Sequence, residues 1–511
     1  MRKLDRTLLE GTFVSAPGLE AGPFPSGMPE RVIQFGEGNF LRAFVDWMFH
    51  QLNRKGLWEG RVVVVQPLAQ GLVDKLNRQD GLYTLLLRGL VDDRRVERRE
   101  IISSVSRGIN PYTDWPAVLA CAADPAIEFV VSNTTEAGIV YDPEDRVTDT
   151  PPRSFPGKLT VYLYHRFRRF DGDPARGLTI MPCELIDRNG DRLKDVVLRL
   201  SREWGLSREF SRWLLEANLF LNTLVDRVVP GYPGEESEQL TRELGYSDEL
   251  LDVGELFHLW VIEGPAQLAE KLPFRQAGLN VIWTDDMAPY RTRKVRILNG
   301  AHTATASLAF LSGIDTVQEA VESLVIGRFM RDAVYGEIIP SLDLDRTVLT
   351  EFAGQVLERF RNPAIVHHWQ SILLNTTSKY KTRVLPSLLD YAVRKKACPP
   401  RLTFALAATA VLFKDGRVNG RHFTGRRGQE DFVLEDDPQA LGFWQKVWRG
   451  YRTQADGTGE VAASILDGAD VWGENLNSVP GLSELLGKYL QAILTRGMEK
   501  ALALVTAGES L

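Results

Sequence analysis

Cysteine is scarce in this chain, with three in 511 residues, Cys121, Cys183 and Cys398, and no C-x-x-C pair among them. That spacing excludes a disulfide framework and a structural zinc site, and it fits a reducing compartment. Long apolar runs are missing too: none reaches the roughly 20 residues of a membrane span. The opening M-R-K-L-D-R-T-L-L-E lacks the apolar core of a secretion signal, so the expectation is a cytoplasmic protein with no membrane partner. Neither sign of charge dominates. With 61 Lys and Arg against 67 Asp and Glu, the net charge of −6 argues against nucleic acid as a partner, and an anionic substrate would need a local basic pocket. Internal repeats are absent as well.

What is present is an ordinary globular composition, 44% hydrophobic and 25% charged, in a chain long enough for two large domains or three smaller ones. After a Pro- and Gly-rich lead-in, Arg31–Phe35 reads as a short buried strand that runs into Gly36-Glu37-Gly38-Asn39 and then a helical pattern beginning F-L-R-A-F. Strand, G-x-G turn and helix open a dinucleotide-binding unit, in which the first glycine permits the turn and the second lets backbone N–H groups reach a pyrophosphate. Leu41 stands where the third glycine of the fingerprint belongs. A second strand, Arg61–Val65, ends in Gln66-Pro67 rather than in the acid that usually holds the ribose. No basic residue follows to hold a 2′-phosphate, which leaves a mild preference for NAD over NADP. Tyr83–Leu90 and Val96–Val105 look like an inserted hairpin around Asp92-Asp93-Arg94-Arg95. Ile127–Ser132 is a buried strand ending in Asn133-Thr134-Thr135-Glu136-Ala137-Gly138, which suits either the ribose and nicotinamide side of a crevice or a plain loop of turn formers. Leu178–Cys183 delivers Glu184 and Asn189, and Leu219–Val225 leads to Asp226-Arg227, an ion pair that is structural or orients a site.

From Pro289 onward the periodicity is helical and no convincing strand interrupts it. The expected organisation is α/β, with an N-terminal Rossmann-type dinucleotide-binding domain over 25–285 followed by a mostly α-helical C-terminal substrate domain over 286–511. The helix around Lys294–His302, K-V-R-I-L-N-G-A-H, carries the densest chemistry. At about 100° per residue, Lys294, Asn299 and His302 fall within an arc of about 140°, so an amine, an amide and an imidazole can converge. Gly300 in a helix interior costs about 0.5–1 kcal/mol relative to Ala, and close approach of a substrate to the backbone would account for it. Lys379 and Arg383, four apart, form either a positive lining or a solvated basic face. His367-His368 diverge by about 100° on a helix and do not make a joint metal site. The basic stretch Lys414–Gly428 reads as an exposed loop.

Seven stretches together resemble one family. They are Q-F-G-E-G-N-F-L-R-A-F at Gln34–Phe44, Q-D-G-L-Y-T at Gln79–Thr84, S-N-T-T-E-A-G-I at Ser132–Ile139, P-C-E-L-I-D-R-N-G at Pro182–Gly190, V-D-R at Val225–Arg227, K-V-R-I-L-N-G-A-H-T at Lys294–Thr303 and R-F-R-N-P at Arg359–Pro363. The chain is similar to the polyol-specific long-chain dehydrogenases, the mannitol dehydrogenase group, with two of these runs pointing to its tagaturonate subgroup. The resemblance implies an NAD-linked reversible reduction of a ketone in a sugar acid, D-tagaturonate to D-altronate, without a metal. It assigns Lys294 as general acid/base, Asn299 to polarising the carbonyl and His302 to holding substrate. Glu184, Asn189, Lys379 and Arg383 are the further substrate candidates, Glu184-Leu185 standing where mannitol-type relatives carry Asp-Asn. The cofactor set is Phe35, Gly36, Glu37, Gly38, Asn39 and Phe40 with Asn133, Thr134 and Glu136. Fructuronate or a neutral polyol is the rival substrate, and a non-catalytic NAD-binding sensor is the rival of another class.

Overall fold

The computed structural model describes residues 2–10, 16–22, 24–91, 94–135, 138–364, 366–449, 451 and 457–508. It divides into two compact units, Met1–Met287 and Ala288–Leu511.

The first unit is built on six parallel strands: β1 (Glu30–Phe35), β2 (Arg61–Val65), β3 (Val105–Ile109), β4 (Phe129–Ser132), β5 (Thr179–Pro182) and β6 (Leu219–Phe220). Their order across the sheet is β6-β5-β4-β1-β2-β3, the doubly wound arrangement of dinucleotide-binding domains. The strands are apolar almost throughout because both faces are covered. Val32, Val62, Val64, Phe129 and Met181 enter one core, while the alternating Ile33, Val63, Val65, Val130 and Ile180 enter another. Register sets Phe35 level with Val65 on one side and with Ser132 on the other, and Ser132 level with Pro182. The turns that follow β1, β2, β4 and β5 therefore open along one edge, and the strand order reverses between β1 and β4, where ligands of such sheets bind.

Smaller sheets are added to this frame. Tyr83–Val91 and Arg94–Ile102 pair as the expected hairpin, whose Asp92-Asp93 tip lies outside the described residues, and are flanked by Asp252–Glu255 and Leu19–Ala21. The expected strand Val96–Val105 is cut at Ser103-Ser104, where Ser103 N–H donates to His50 Nδ1 and Ser104 Oγ to the Asp46 carbonyl, and the chain re-enters as β3. The expected Leu219–Val225 strand likewise divides, into β6 and Asn222–Asp226 of a separate three-stranded sheet.

The second unit is mostly helical around one core. Two helices at its centre, Gly300–Leu311 and Pro400–Leu412, are buried on nearly all sides. Alanines fill much of both, so they pack with little side-chain bulk, and Ser307 Oγ and Thr409 Oγ1 pair at 3.1 Å. The expectation of an all-helical domain needs one correction. Arg417–Asn419, His422–Arg427 and Glu430–Glu435 form a three-stranded antiparallel sheet where an exposed loop was expected. Phe423, Phe432 and Leu434 from this meander are buried in the helical core, which is why it is ordered. Among the described residues no helix is long and apolar enough to cross a membrane.

Candidate active site

In the first unit the turn after β1 has the geometry a dinucleotide needs. Gly36 adopts φ +127°, and a Cβ there would lie 2.8 Å from the Asn133 carbonyl oxygen, so only glycine lets the β1 and β4 turns meet. A Cβ on Gly38 would meet nothing within 4 Å, leaving open space above the start of the helix that runs through 39–54. Exposed N–H groups at a helix N-terminus beside open space fit a pyrophosphate. The turn is held from behind. Gln34 Nε2 donates to the Gly36 carbonyl at 3.0 Å and to Asp46 Oδ2 at 3.3 Å, and the buried Arg42 donates to Asn39 Oδ1 at 2.6 Å and to the Glu37 carbonyl at 3.4 Å. Arg42 lies 3.5 Å from Asp252, which is fully buried like Asp46. Burial pushes both carboxyls up to about 7 despite the guanidinium nearby. Phe35 is itself buried in the sheet core, so of the expected cofactor set it supports the turn rather than lining it, and Phe40 stacks on Phe44.

Across the switch point, Asn133 Nδ2 donates to the Cys183 carbonyl, and Thr135 holds φ +76°, a strained value for a β-branched residue. Glu136 lies outside the described residues. Two substrate candidates are corrected here. Glu184 is 2% exposed and accepts from Ser132 Oγ, Thr134 N–H and Thr134 Oγ1, so its carboxylate braces the β4 turn and faces away from solvent. Asn189 is fully buried, donating to the Pro182, Glu184 and Thr223 carbonyls and accepting from the Gly190 and Thr223 N–H groups. Every polar atom of that amide is used inside the unit, and none remains for a substrate. Arg227 donates to the Phe257 and Leu256 carbonyls and lies 4.2 Å over the Trp47 ring, which makes it structural.

In the second unit the helix 288–311 is not uniformly α. Lys294–Asn299 forms a π turn, in which hydrogen bonds run from i to i+5. Residues five apart then stack along the axis as residues four apart do in an α-helix, so Lys294 and Asn299 share a face more closely than the expected 140° arc. Both are half-buried, while His302 on the following turn is 6% exposed. Its ring stacks on Phe360 at 4.0 Å and meets His367 edge-on at 5.2 Å, and Nε2 has no hydrogen-bond partner. Burial, reinforced by His367, Arg359, Arg383 and Lys294, holds the imidazole well below its ordinary value, so it works as a neutral hydrogen-bonding group. His367 is lowered in turn by burial and by Lys379 and His368. Lys294, Arg359, Lys379 and Arg383 thus gather around two neutral imidazoles.

Arg359 and His367 had no part in the expected site. An arginine near the end of an amphipathic helix, Arg346–Phe360, carries no mark in the periodicity that separates it from a solvated one, and its one signal was its place in the R-F-R-N-P stretch. Lys379 Nζ donates to the Ile372 carbonyl at 2.8 Å, and Gly300 has a packing role rather than the expected opening for substrate. A Cβ there would lie 3.2 Å from the Arg383 carbonyl oxygen, so glycine lets the helix Thr376–Arg383 close on the π turn. Among the described residues no cluster of three or more His, Cys, Asp or Glu could hold a metal ion.

Comparison with known proteins agrees with this division. Residues 30–276 match the family model for the mannitol dehydrogenase Rossmann domain, and residues 286–494 that for the mannitol dehydrogenase C-terminal domain. The altronate oxidoreductase of Bacillus subtilis (strain 168) is 45% identical over 475 residues, covering 93% of this chain and 95% of that protein. That of Klebsiella pneumoniae subsp. pneumoniae is 47% identical over 480 residues, 94% and 97% of the two chains. Among solved structures, Pseudomonas fluorescens mannitol 2-dehydrogenase, in ternary complex with NAD and D-mannitol, superposes with a TM-score of 0.74 at 22% identity, covering 98% of each chain. A D-sorbitol dehydrogenase gives 0.77 at 21% identity, covering 98% of this chain and all of the other. At those identities the likeness is one of fold.

Proposed function

As the chain belongs to the mannitol dehydrogenase family, we propose that it is an NAD-dependent oxidoreductase interconverting D-tagaturonate and D-altronate. The observation that carries the sugar-acid part of this reading is the gathering of Lys294, Arg359, Lys379 and Arg383 about His302 and His367 in a protein whose net charge is −6. Neutral polyols need no such concentration of cations, whereas a uronate carboxylate does.

Bound NADH supplies a hydride to the ketone carbon. The residues of this chain do the rest. Gly36 and Gly38, with the start of the helix 39–54, take the pyrophosphate, and Asn39, Phe40, Asn133 and Thr134 border it. As the carbonyl becomes an alkoxide, negative charge grows on oxygen, and donors fixed in advance stabilise it at little reorganisation cost. Asn299 is such a donor, and the Lys294 ammonium donates and then transfers its proton to that oxygen. In the reverse direction the neutral amine takes the proton back. An amine that works both ways near neutral pH needs surroundings that disfavour its charged form. His302, held neutral with Nε2 unpartnered, has a hydrogen bond to give a substrate hydroxyl. Arg383, Arg359 and Lys379 take the carboxylate.

A substrate panel followed by NADH absorbance tests this. Tagaturonate is expected to turn over faster than fructuronate, and both faster than fructose. Preference for a neutral ketose would return the reading to a polyol dehydrogenase, and tight NADH binding with no turnover on any ketose would make the chain a sensor.

A further inference from the structure

In dinucleotide-binding units an acid at the end of the second strand usually meets the adenosine ribose, and its charge rejects the 2′-phosphate of NADP. Here β2 ends in Gln66, and that side chain is turned away from the role. Its Nε2 donates to the Leu68 and Ala69 carbonyls at 2.9 and 3.1 Å, pinning the carboxamide to its own loop. A carboxylate nevertheless stands at this strand end. It comes from Glu37, the residue between the two glycines of the β1 turn. A methyl built on Gly71, in the loop after β2, would overlap Glu37 Oε1 and would lie 2.6 Å from Gln66 Oε1. Glu37 therefore reaches from the β1 turn to the β2 loop, where the Leu72 backbone N–H favours its charged form. Its own backbone is held as well, since Arg42 donates to the Glu37 carbonyl. The side chain is half-buried.

Resting on the NAD-dependent reading above, we propose that Glu37 takes over the ribose-binding and NADP-rejecting role left vacant at the end of β2, and that Gly71 is glycine to make room for its carboxylate. An acceptor at this place pairs with a vicinal ribose diol. The same acceptor, carrying charge and set against a loop that offers no cation, repels a phosphate on the 2′-oxygen. Burial raises the Glu37 carboxyl above its usual range, which adds a second mark: discrimination against NADP should sharpen as pH rises and the group becomes fully ionised.

The test measures binding of NADH and NADPH to the full chain by cofactor fluorescence, which needs no knowledge of the sugar. Wild type is expected to prefer NADH. Glu37→Gln, nearly isosteric and uncharged, should lower the NADH-to-NADPH preference at least tenfold, mainly through tighter NADPH binding. Gly71→Ala, which leaves the acid in place but displaces it, should lower the preference by a smaller factor. A preference unchanged in Glu37→Gln would overturn this assignment while leaving the NAD-dependent reading intact. Wild type that binds neither cofactor would overturn both. A uniform loss of both affinities in Glu37→Gln, at unchanged ratio and unchanged circular dichroism, would show a role in shaping the turn and would also overturn the assignment.

Discussion

Each of the two units carries a helix broken by a π turn, Arg42–Asp46 in the first and Lys294–Asn299 in the second, and their surroundings have opposite electrostatic character. Behind the glycine turn the buried carboxyls Asp46 and Asp252 are pushed up to about 7 beside the guanidinium of Arg42. Around the second π turn they are imidazoles kept neutral among cations. The first turn presents mainly backbone, and the charged groups behind it, Arg42, Asp46 and Asp252, are buried braces. The second presents side chains, and in the proposed reaction its charges take part in the chemistry. A net charge of −6 conceals this separation, because a count has no positions.

Breaking the second π turn should have the largest effect. Lys294→Ala removes the proposed proton donor and is expected to lower turnover by about 10²–10⁴ while leaving NADH affinity within a factor of a few, since the glycine turn belongs to the other unit. Steady-state rates and NADH titration check this, and tagaturonate reduction at a near wild-type rate would remove Lys294 from the mechanism. Arg359→Ala sharpens the comparison by asking what the cations recognise. Loss of a charge-assisted hydrogen bond costs about 1.5–3 kcal/mol, so kcat/KM for the sugar acid should drop roughly 10- to 100-fold, with little change for a neutral ketose. An equal drop for both substrates would point to damage to the His302 and Phe360 stack instead.

The two units also differ in how much of them could be read in advance. Gly36 was legible because backbone conformation limits the residue choice there, Gly38 through its G-x-G spacing, and the continuous apolar runs of β1, β2, β4 and β5 gave away most of the parallel sheet. Glu184 and Asn189 were misplaced because residue type at a strand end says nothing about which way the side chain faces. Both turn inward onto backbone groups of the surrounding turns. The π turn escaped because a fixed 100° step presumes the very hydrogen-bond pattern that changes there. The meander at 417–435 did leave a signal, Asn419-Gly420, which begins the two-residue connection between the paired Asn419 and His422. Its basic, glycine-rich composition resembled a loop, and the phenylalanines that anchor it, Phe423 and Phe432, are spaced too far apart to show strand alternation.

The smallest effect tests the first π turn, through pH. Asp252 holds its proton to about 7 in the folded chain, against an ordinary value of 3.8. An acid raised on folding favours the native state below the unfolded value and loses that contribution as pH climbs through the folded one, because the unfolded chain releases its proton first. Between about pH 4 and 7 the native state therefore becomes steadily less stable on account of this group. Asn in its place mimics the protonated acid at every pH. Asp252→Asn should match wild type in apparent Tm at about pH 4 and below, pull ahead of it between about pH 4 and 7 and exceed it fully above pH 8, by roughly 2–4 °C for each kcal/mol recovered. Asp46 interacts with Asp252, so one variant changes the apparent titration of both, and the difference between the curves belongs to the pair. A constant offset across pH would mean that Arg42 keeps Asp252 ionised throughout. The braces of the glycine turn would then be an ordinary ion pair, and the contrast with the cationic site would shrink to one of sign alone.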